Sequence, residues 1–567
     1  MGRLVLAQPT SKPPLSGRRP RVSPPHTDIP TDTTQKPQIH NHKPSPAPPT
    51  AMAEQEQPPF ANVDPATAAD ARLQGRDPRK LDQAAENVLS YIYATLPSFP
   101  VYPGTRLPAL AASSDGVDRI SLLPDEPLRN IVARLPVKDA ARTTVLSSRW
   151  RALWPSTPLV LIDSFLLPKG QGFRPTPANS PALTAAVSDI LEAHPGPFRC
   201  IHLICTQSTY RNQLARWLQL LAAKAVQDLV LVNRPWPRDV PLPPTLFTIT
   251  TLTRLYLGLW KLPDTAALRG ASFPHLRELG LCSVEMEHGV VDSLVARSPV
   301  LEVLNILGCI NGLRLRLLSQ SLRCLQISCS KMEHIAVVKA PCLERLIIFG
   351  SGEIARGLCS RLKIGDVPKL HAFGYLDPGQ VLQVRDTIIM PGIASTSTMM
   401  RSVKILSLNV RFGVRNEVKM VPNFLRCFPN AERLHILSEK CDKPTGNHLS
   451  LKFWEESGPI ENVLSRINVM SIREFRGDPG EVGFLEFFFR NARALKTASV
   501  SMANPSFTPF SAEEAHAKVK YCYRNKASKS CHMVVRGSTG PSGGEVWRFK
   551  DGADFSFHDP FSQVLVR

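Results

Sequence analysis

The sequence predicts a mixed α/β chain: a disordered Pro-rich N-terminus, a compact unit of three short helices, an irregular solenoid of parallel strands, and a small α+β C-terminal cap. Three observations predict it. A leucine pattern returns every 21 to 26 residues between Val226 and Leu343. An apolar stretch with two helix starts and two tryptophans fills Leu122 to Trp154. A Gly-Asp-Pro-Gly turn links an apolar strand to an amphipathic helix around Asp478.

Residues 1–115 read as the disordered arm. They are rich in Pro, Thr, Ser and Gln, with too little apolar surface to offset the entropy of ordering. Met52 begins MAEQEQ, which reads like an ordinary protein start, so either Met1 or Met52 serves as the expected initiator. Within the arm, KLDQAAENVLSYIYATL has helical spacing at Ala85, Val88, Leu89 and Ile92. This predicts a short, loosely docked helix over 80–96.

The trihelical unit follows. Pro124 and Asp125 mark a helix start, with Asp125 as N-cap and Pro127 in the tolerant first turn. Leu128, Ile131, Val132 and Leu135 then fall at i, i+3, i+4 and i+7, one face of a helix that Pro136 stops. Asp139 opens a second helix carrying Ala140, Val145 and Leu146. Ser147 or Ser148 caps a third with Trp150, Leu153 and Trp154. Units below about 40 residues rarely enclose their own core without disulfides, metals or a partner. Either a partner surface or a larger core of this chain must therefore complete the stripe.

The residues LLPDEPLRNIVARLPVKDAARTTVLSSRWRALW closely resemble the F-box, in its plant version. Pro127 stands where that family more often has an aliphatic residue. The resemblance implies an F-box over 118–160 that binds a Skp-type adaptor and, through it, a cullin-RING ubiquitin ligase. The side chains expected to bind the adaptor are Leu122, Pro124, Leu128, Ile131, Leu135, Pro136, Val145, Leu146 and Trp150.

The pattern L-x-x-L-x-L recurs as VQDLVL, LTRLYL, LRELGL, LEVLNI, LRCLQI and LERLII, starting at Val226, Leu252, Leu276, Leu301, Leu322 and Leu343. The successive spacings of 26, 24, 25, 21 and 21 residues are those of leucine-rich repeats. Looser copies start at Leu370, Val403 and Ala431, and FRCIHL from Phe198 precedes them, so the array spans 198–450. Only Cys309 supplies the usual ninth-position Asn or Cys, which predicts an irregular, flattened solenoid. Strand alternation turns the leucines inward and the intervening positions outward. A concave face exposing Arg254, Tyr256, Glu278, Asn305, Gln326, Arg345, Asn409, Arg433 and His435 is the expected substrate-binding surface.

Residues 451–525 resemble the FBD region that follows such repeats in plant proteins. Phe475, Arg476, Gly477, Gly480 and Glu481 carry its F-R-G-x-x-G-E turn, and the helix is expected from Glu481 to about Leu495. Its role would be to end the solenoid and cover the last apolar face. Residues 526–567 read as a Gly-rich loop and a final strand, EVWRF.

Composition narrows the function classes. The formal charge is +20, but the 68 Lys and Arg are scattered rather than gathered into a basic arm, so nucleic-acid binding is a weaker alternative. The twelve cysteines contain no C-x-x-C clamp and most lie in apolar runs, which predicts no metal site and a reducing compartment, cytosol or nucleus. Neither a secretory segment, an eighteen-residue apolar span nor a myristoylation signal is present. No P-loop, G-x-G-x-x-G, G-x-S-x-G or H-E-x-x-H occurs, and the aspartates of FKDGADFSFHDPF do not fit a calcium loop. The expectation is a non-catalytic, cofactor-free substrate-recruiting subunit. A ligase-independent scaffold or small-molecule receptor is the alternative.

Overall fold

The computed structural model describes residues 60–63, 65–101, 118–167, 179–206, 211–234, 240–350, 359–378, 381–385, 387–389, 399–441, 444–445, 449–538 and 548–562. The arm before residue 60, most of the Gly-rich stretch and the first residues of EVWRF lie outside them.

Two helices, Pro65–Leu73 and Pro78–Thr95, come first. The second has Asp77 as N-cap, its carboxylate accepting from the Arg79 amide, and buries Ala85, Leu89 and Ile92 along one face. The helical spacing predicted this element, but not its attachment. Ile92 has no exposure, and Tyr91 and Tyr93 hydrogen-bond to Ser328 and to the Ile204 carbonyl. The helix is firmly docked.

The trihelical unit comprises Asp125–Val132, Val137–Arg142 and Ser148–Leu153, with a 3-10 turn at Thr143–Val145. Pro124, not Asp125, occupies the first cap, while Ser147 caps the third helix through the Trp150 amide. Leu128, Val132, Val137, Ala140, Trp150 and Leu153 join a core cluster with Leu159, Leu161, Val187, Leu191 and Phe198. The apolar stripe is thus completed on one side by the chain itself.

Fourteen parallel strands form one continuous sheet in chain order, from Leu159–Ile162 to His532–Arg536. Registers such as Leu229↔Leu255↔Leu279↔Leu304↔Leu325↔Leu346 stack one leucine per repeat into a column on the core side. Each repeat buries that face only against its neighbours.

The return legs vary with repeat length. Where successive starts are 24 to 26 residues apart, the return runs through short helical pieces, Pro244–Thr248, Ala267–Gly270 and Val290–Ala296. Where the spacing falls to 21, it runs through extended strands. A strand covers about twice the distance per residue that a helix does. Leu313–Leu318 and Met332–Lys339 fill the two 21-residue repeats, and with Cys359–Asp366, Val381–Val384 and Thr387–Ile389 of the later, longer repeats they build a second, five-stranded sheet behind the first.

The C-terminal α+β unit continues this architecture. Val469–Phe475, Thr497–Met502 and His532–Arg536 extend the main sheet, and helices Pro479–Asn491 and Ala512–Arg524 pack beside it. The helix expected from Glu481 begins at Pro479 and ends at Asn491. Its turn explains the F-R-G-x-x-G-E pattern. Gly477 takes φ of 81°, and a Cβ on Gly480 would stand 2.7 Å from the Phe412 carbonyl. The buried Glu481 carboxylate accepts from the amides of Arg476 and Asp478 at 3.0 and 2.9 Å. Two expectations for the tail fail: His532–Arg536 is a strand within the supposed loop, and Phe549–Ala553 is a short helix rather than part of a strand.

Candidate functional site

The residues expected to bind an adaptor divide between two environments. Leu128 and Trp150 are 0% and 6% exposed, and Pro136 is buried in a bridge to Val160. These three root the module in the core and offer no contact surface, because the first strand and the helix Ser180–Ala193 occupy the side they face. Leu135 is half-buried. Leu122, Pro124, Ile131, Val145 and Leu146 are exposed, Val145 to 79% and Leu146 to 64%. Several large apolar side chains in so short a unit are an unusual offering to water.

Arg149 is the organising residue that sequence reasoning missed. Its guanidinium donates to Asp125 Oδ1 at 2.7 and 2.9 Å and to the carbonyls of Ser121 and Leu123, both at 2.6 Å. It fastens the entry turn bearing Leu122 to the third helix, and its place between two serines and a tryptophan gave no sign of this.

The polar residues assigned to a substrate face do share one face of the sheet, but they are not free. Tyr256, Asn305, Gln326, Arg345, Asn409 and His435 are buried, and Arg254, Glu278 and Arg433 are half-buried. The expectation that this face is open is corrected by two segments of the same chain. The helix Pro78–Thr95 lays Leu89 and Ile92 over Val230, Val232 and Tyr256. Residues 548–562 cover the middle repeats: Phe549 enters the same cluster, and Phe561 packs on Ile347, Tyr375 and Leu437.

Beneath them runs a ladder of hydrogen bonds. Arg254 pairs with Asp228 and Glu278 at 2.9 and 2.8 Å. Tyr256 donates to Glu278 at 2.5 Å and accepts from Asn305 at 2.8 Å. The Tyr256 ring lies over Gly280, where an added Cβ would come within 2.2 Å of it. Gln326 donates to Asn305 and to the Phe549 carbonyl at 2.9 and 2.7 Å. Arg345 donates to the carbonyls of Gly552 and Asp554 at 2.7 and 3.0 Å, and to that of Phe557. The Phe555 ring sits 3.8 Å from the Arg323 guanidinium carbon. Further along, His435 and Arg433 contact Asp559 at 3.1 and 3.0 Å, and Asn409 donates to Glu439 at 3.3 Å. Burial alone would raise the Asp559 carboxyl, but the adjacent His435 and Arg433 hold it below the ordinary range. The covering segments leave a cleft of about 470 Å³ walled by Thr95, Arg254, Glu278, Lys550, Asp554 and Phe557.

The arrangement defines a class: a leucine-rich solenoid that carries a small trihelical module with an apolar outer face. Comparison with known proteins matches each part to a known domain family. Residues 120–161 match the F-box domain, 214–436 match the leucine-rich repeats of an FBD-associated F-box protein, At5g56370, and 455–500 match the FBD domain. Among relatives, the F-box/FBD/LRR-repeat protein At1g13570 of Arabidopsis thaliana is 29% identical over 189 residues, covering 33% of this chain and 44% of that protein. The F-box/FBD/LRR-repeat protein At1g51370 of the same plant is 25% identical over 358 residues, 58% of this chain and 76% of the relative. The MEIOTIC F-BOX protein MOF of Oryza sativa subsp. japonica is 32% identical over 208 residues, 34% and 42% of the two chains. The chain thus carries an F-box domain, leucine-rich repeats and an FBD domain, and is similar to plant proteins that combine the three.

Proposed function

We propose that this protein is the substrate-recruiting subunit of a Skp-cullin-F-box ubiquitin ligase. The carrying observation is the division within the F-box: Leu128 and Trp150 anchor it in the core, while Leu122, Ile131, Val145 and Leu146 stay exposed. An apolar face on a rigidly mounted module suits a Skp-type adaptor, and burying each such side chain contributes about 1.5 to 3 kcal/mol. The role is positional. A target held near a charged ubiquitin-conjugating enzyme reacts at raised effective concentration, and the covalent chemistry belongs to the partners. Target contact falls to the composite surface of sheet margin and covering segments, where Arg254, Glu278 and Arg433 remain half-exposed. The eleven cysteines described as free thiols fit a place in the cytosol or nucleus.

The test is co-purification with a Skp-type adaptor. Wild type should carry it stoichiometrically, and Val145→Asp with Leu146→Asp should lose it at unchanged melting temperature, since both side chains face water. Absence of the adaptor from wild type would remove the ligase reading. Substitution at Leu128 or Trp150 cannot serve, because it would damage the fold itself.

A further inference from the structure

The strand Phe198–Leu203 places Cys200 and His202 two residues apart, hence on one face. The parallel register sets Asp228 of the next strand opposite Cys200. This is the face turned away from the leucine column, and here it is closed by Val101, Val160, Ile162, Phe99 and Phe165. The Phe99 ring lies 5.6 Å from that of His202.

The polar atoms in this enclosure are poorly served. His202 is 1% exposed, and among the described residues neither ring nitrogen has a hydrogen-bond partner; Asp228 Oδ1 has none either. The two approach to 3.8 Å, too far for a hydrogen bond. Leaving such groups unpaired costs about 1 to 3 kcal/mol each. Arg254 holds the other carboxylate oxygen at 2.9 Å, which fixes Oδ1 toward the histidine. One potential ligand atom from each of Cys200, His202 and Asp228 lies within 4.8 Å of the other two. A divalent ion would engage Asp228 Oδ1 and one ring nitrogen of His202 at once.

We propose that Cys200, His202 and Asp228 form a zinc site. A thiolate, an imidazole and a carboxylate are the donors a borderline-soft ion prefers, and the two anionic ligands balance its charge. Zinc bonds of about 2.0 to 2.3 Å set ligand atoms roughly 3.3 to 3.6 Å apart, so small side-chain rotations close the cluster, with water in the fourth position. Burial raises the Cys200 thiol, so without metal it stays protonated; on binding, its proton passes to solvent as the sulfur bonds the ion. Lying under Phe99 and Val101, the ion would fasten the segment that leaves the helix Pro78–Thr95 to the first strands of the sheet. Sequence spacing did not show the cluster, because the third donor comes from the neighbouring strand.

The test uses the full chain purified without chelator. Metal analysis should find about one zinc per chain. Replacing it with Co2+ should give a thiolate-to-cobalt charge-transfer band that Cys200→Ser abolishes and His202→Gln weakens, with the fold monitored by circular dichroism. Markedly substoichiometric zinc and no cobalt band in wild type would overturn the proposal, as would an unchanged band in both variants, which would put the ion on other thiols. Should the variants fail to fold, X-ray absorption on wild type decides: one sulfur with lighter donors supports the site, and a multi-sulfur shell refutes it.

Discussion

The two faces of the main sheet are made by the same strands and closed in opposite ways. One face meets its covering within each repeat: a leucine column packs against return legs that start about ten to fifteen residues further along the chain. The other is covered by the two ends of the described chain, the helix Pro78–Thr95 and residues 548–562, which travel more than a hundred residues to reach it. The first face is local and repetitive, and its closure is inseparable from the fold. The second depends on individual side chains, among them Arg345, Asp559 and Phe561, that no periodicity announces.

The largest effect should follow from damaging the repetitive face. Leu325 is fully buried between Leu304 and Leu346 of neighbouring strands. Leu325→Ala should cost about 2 to 5 kcal/mol. Because each repeat leans on the next, the loss should appear as a lower midpoint for the whole cooperative transition in chemical denaturation. A local change confined to the neighbouring strands would show that the repeats unfold independently.

The covered face should break differently. Phe561 is 2% exposed, against Tyr375, His435 and Ile347. Phe561→Ala should remove about 3 kcal/mol from the docking of the tail. Since the tail can peel away while the leucine column stays packed, hydrogen exchange should quicken in residues 549–562 and over Ile405 and His435. The global midpoint should barely move. A fall in that midpoint as large as that of Leu325→Ala would mean that the tail is part of the core rather than a cover.

This contrast also sets what could be read from the sequence. The F-box helices and the strand starts at Val226 through Leu343 were legible because each is fixed by spacing within a few turns of chain. The F-R-G-x-x-G-E turn was legible for the same reason, since its glycines and Glu481 act on one another locally. The second sheet was not, because LRLRLL at Leu313–Leu318 alternates like any half-buried strand and nothing local says what it covers. Nor could alternation tell that Tyr256, Asn305 and Gln326 lie beneath other chain. It correctly assigned them to the face opposite the leucines, and the covering segments come from the far ends. Three of the nine expected adaptor residues turned out to be anchors for a related reason: a helix so short presents a buried and an exposed side within one turn, as Leu128 and Ile131 do.

The smallest effect belongs to the junction of the repeats with the FBD unit, where the comparison can be sharpened by pH. Glu481 is fully buried, and burial pushes its carboxyl up to about 7, even though it accepts from Ser438 and from the Arg476 and Asp478 amides. An unfolded glutamate titrates near 4.3. Between those values the native state holds the extra proton, so stability should fall as pH rises, by about 2 kcal/mol between pH 5 and 7, and level off above. Half-buried Glu439, also raised to about 7, should add a smaller slope of the same sign. Glu481→Gln keeps an acceptor for the turn but cannot ionise. Its denaturation midpoint should change with pH far less than that of wild type over this window, and equal slopes for the two proteins would show that the carboxylate is already charged in the fold, its hydrogen bonds outweighing its burial.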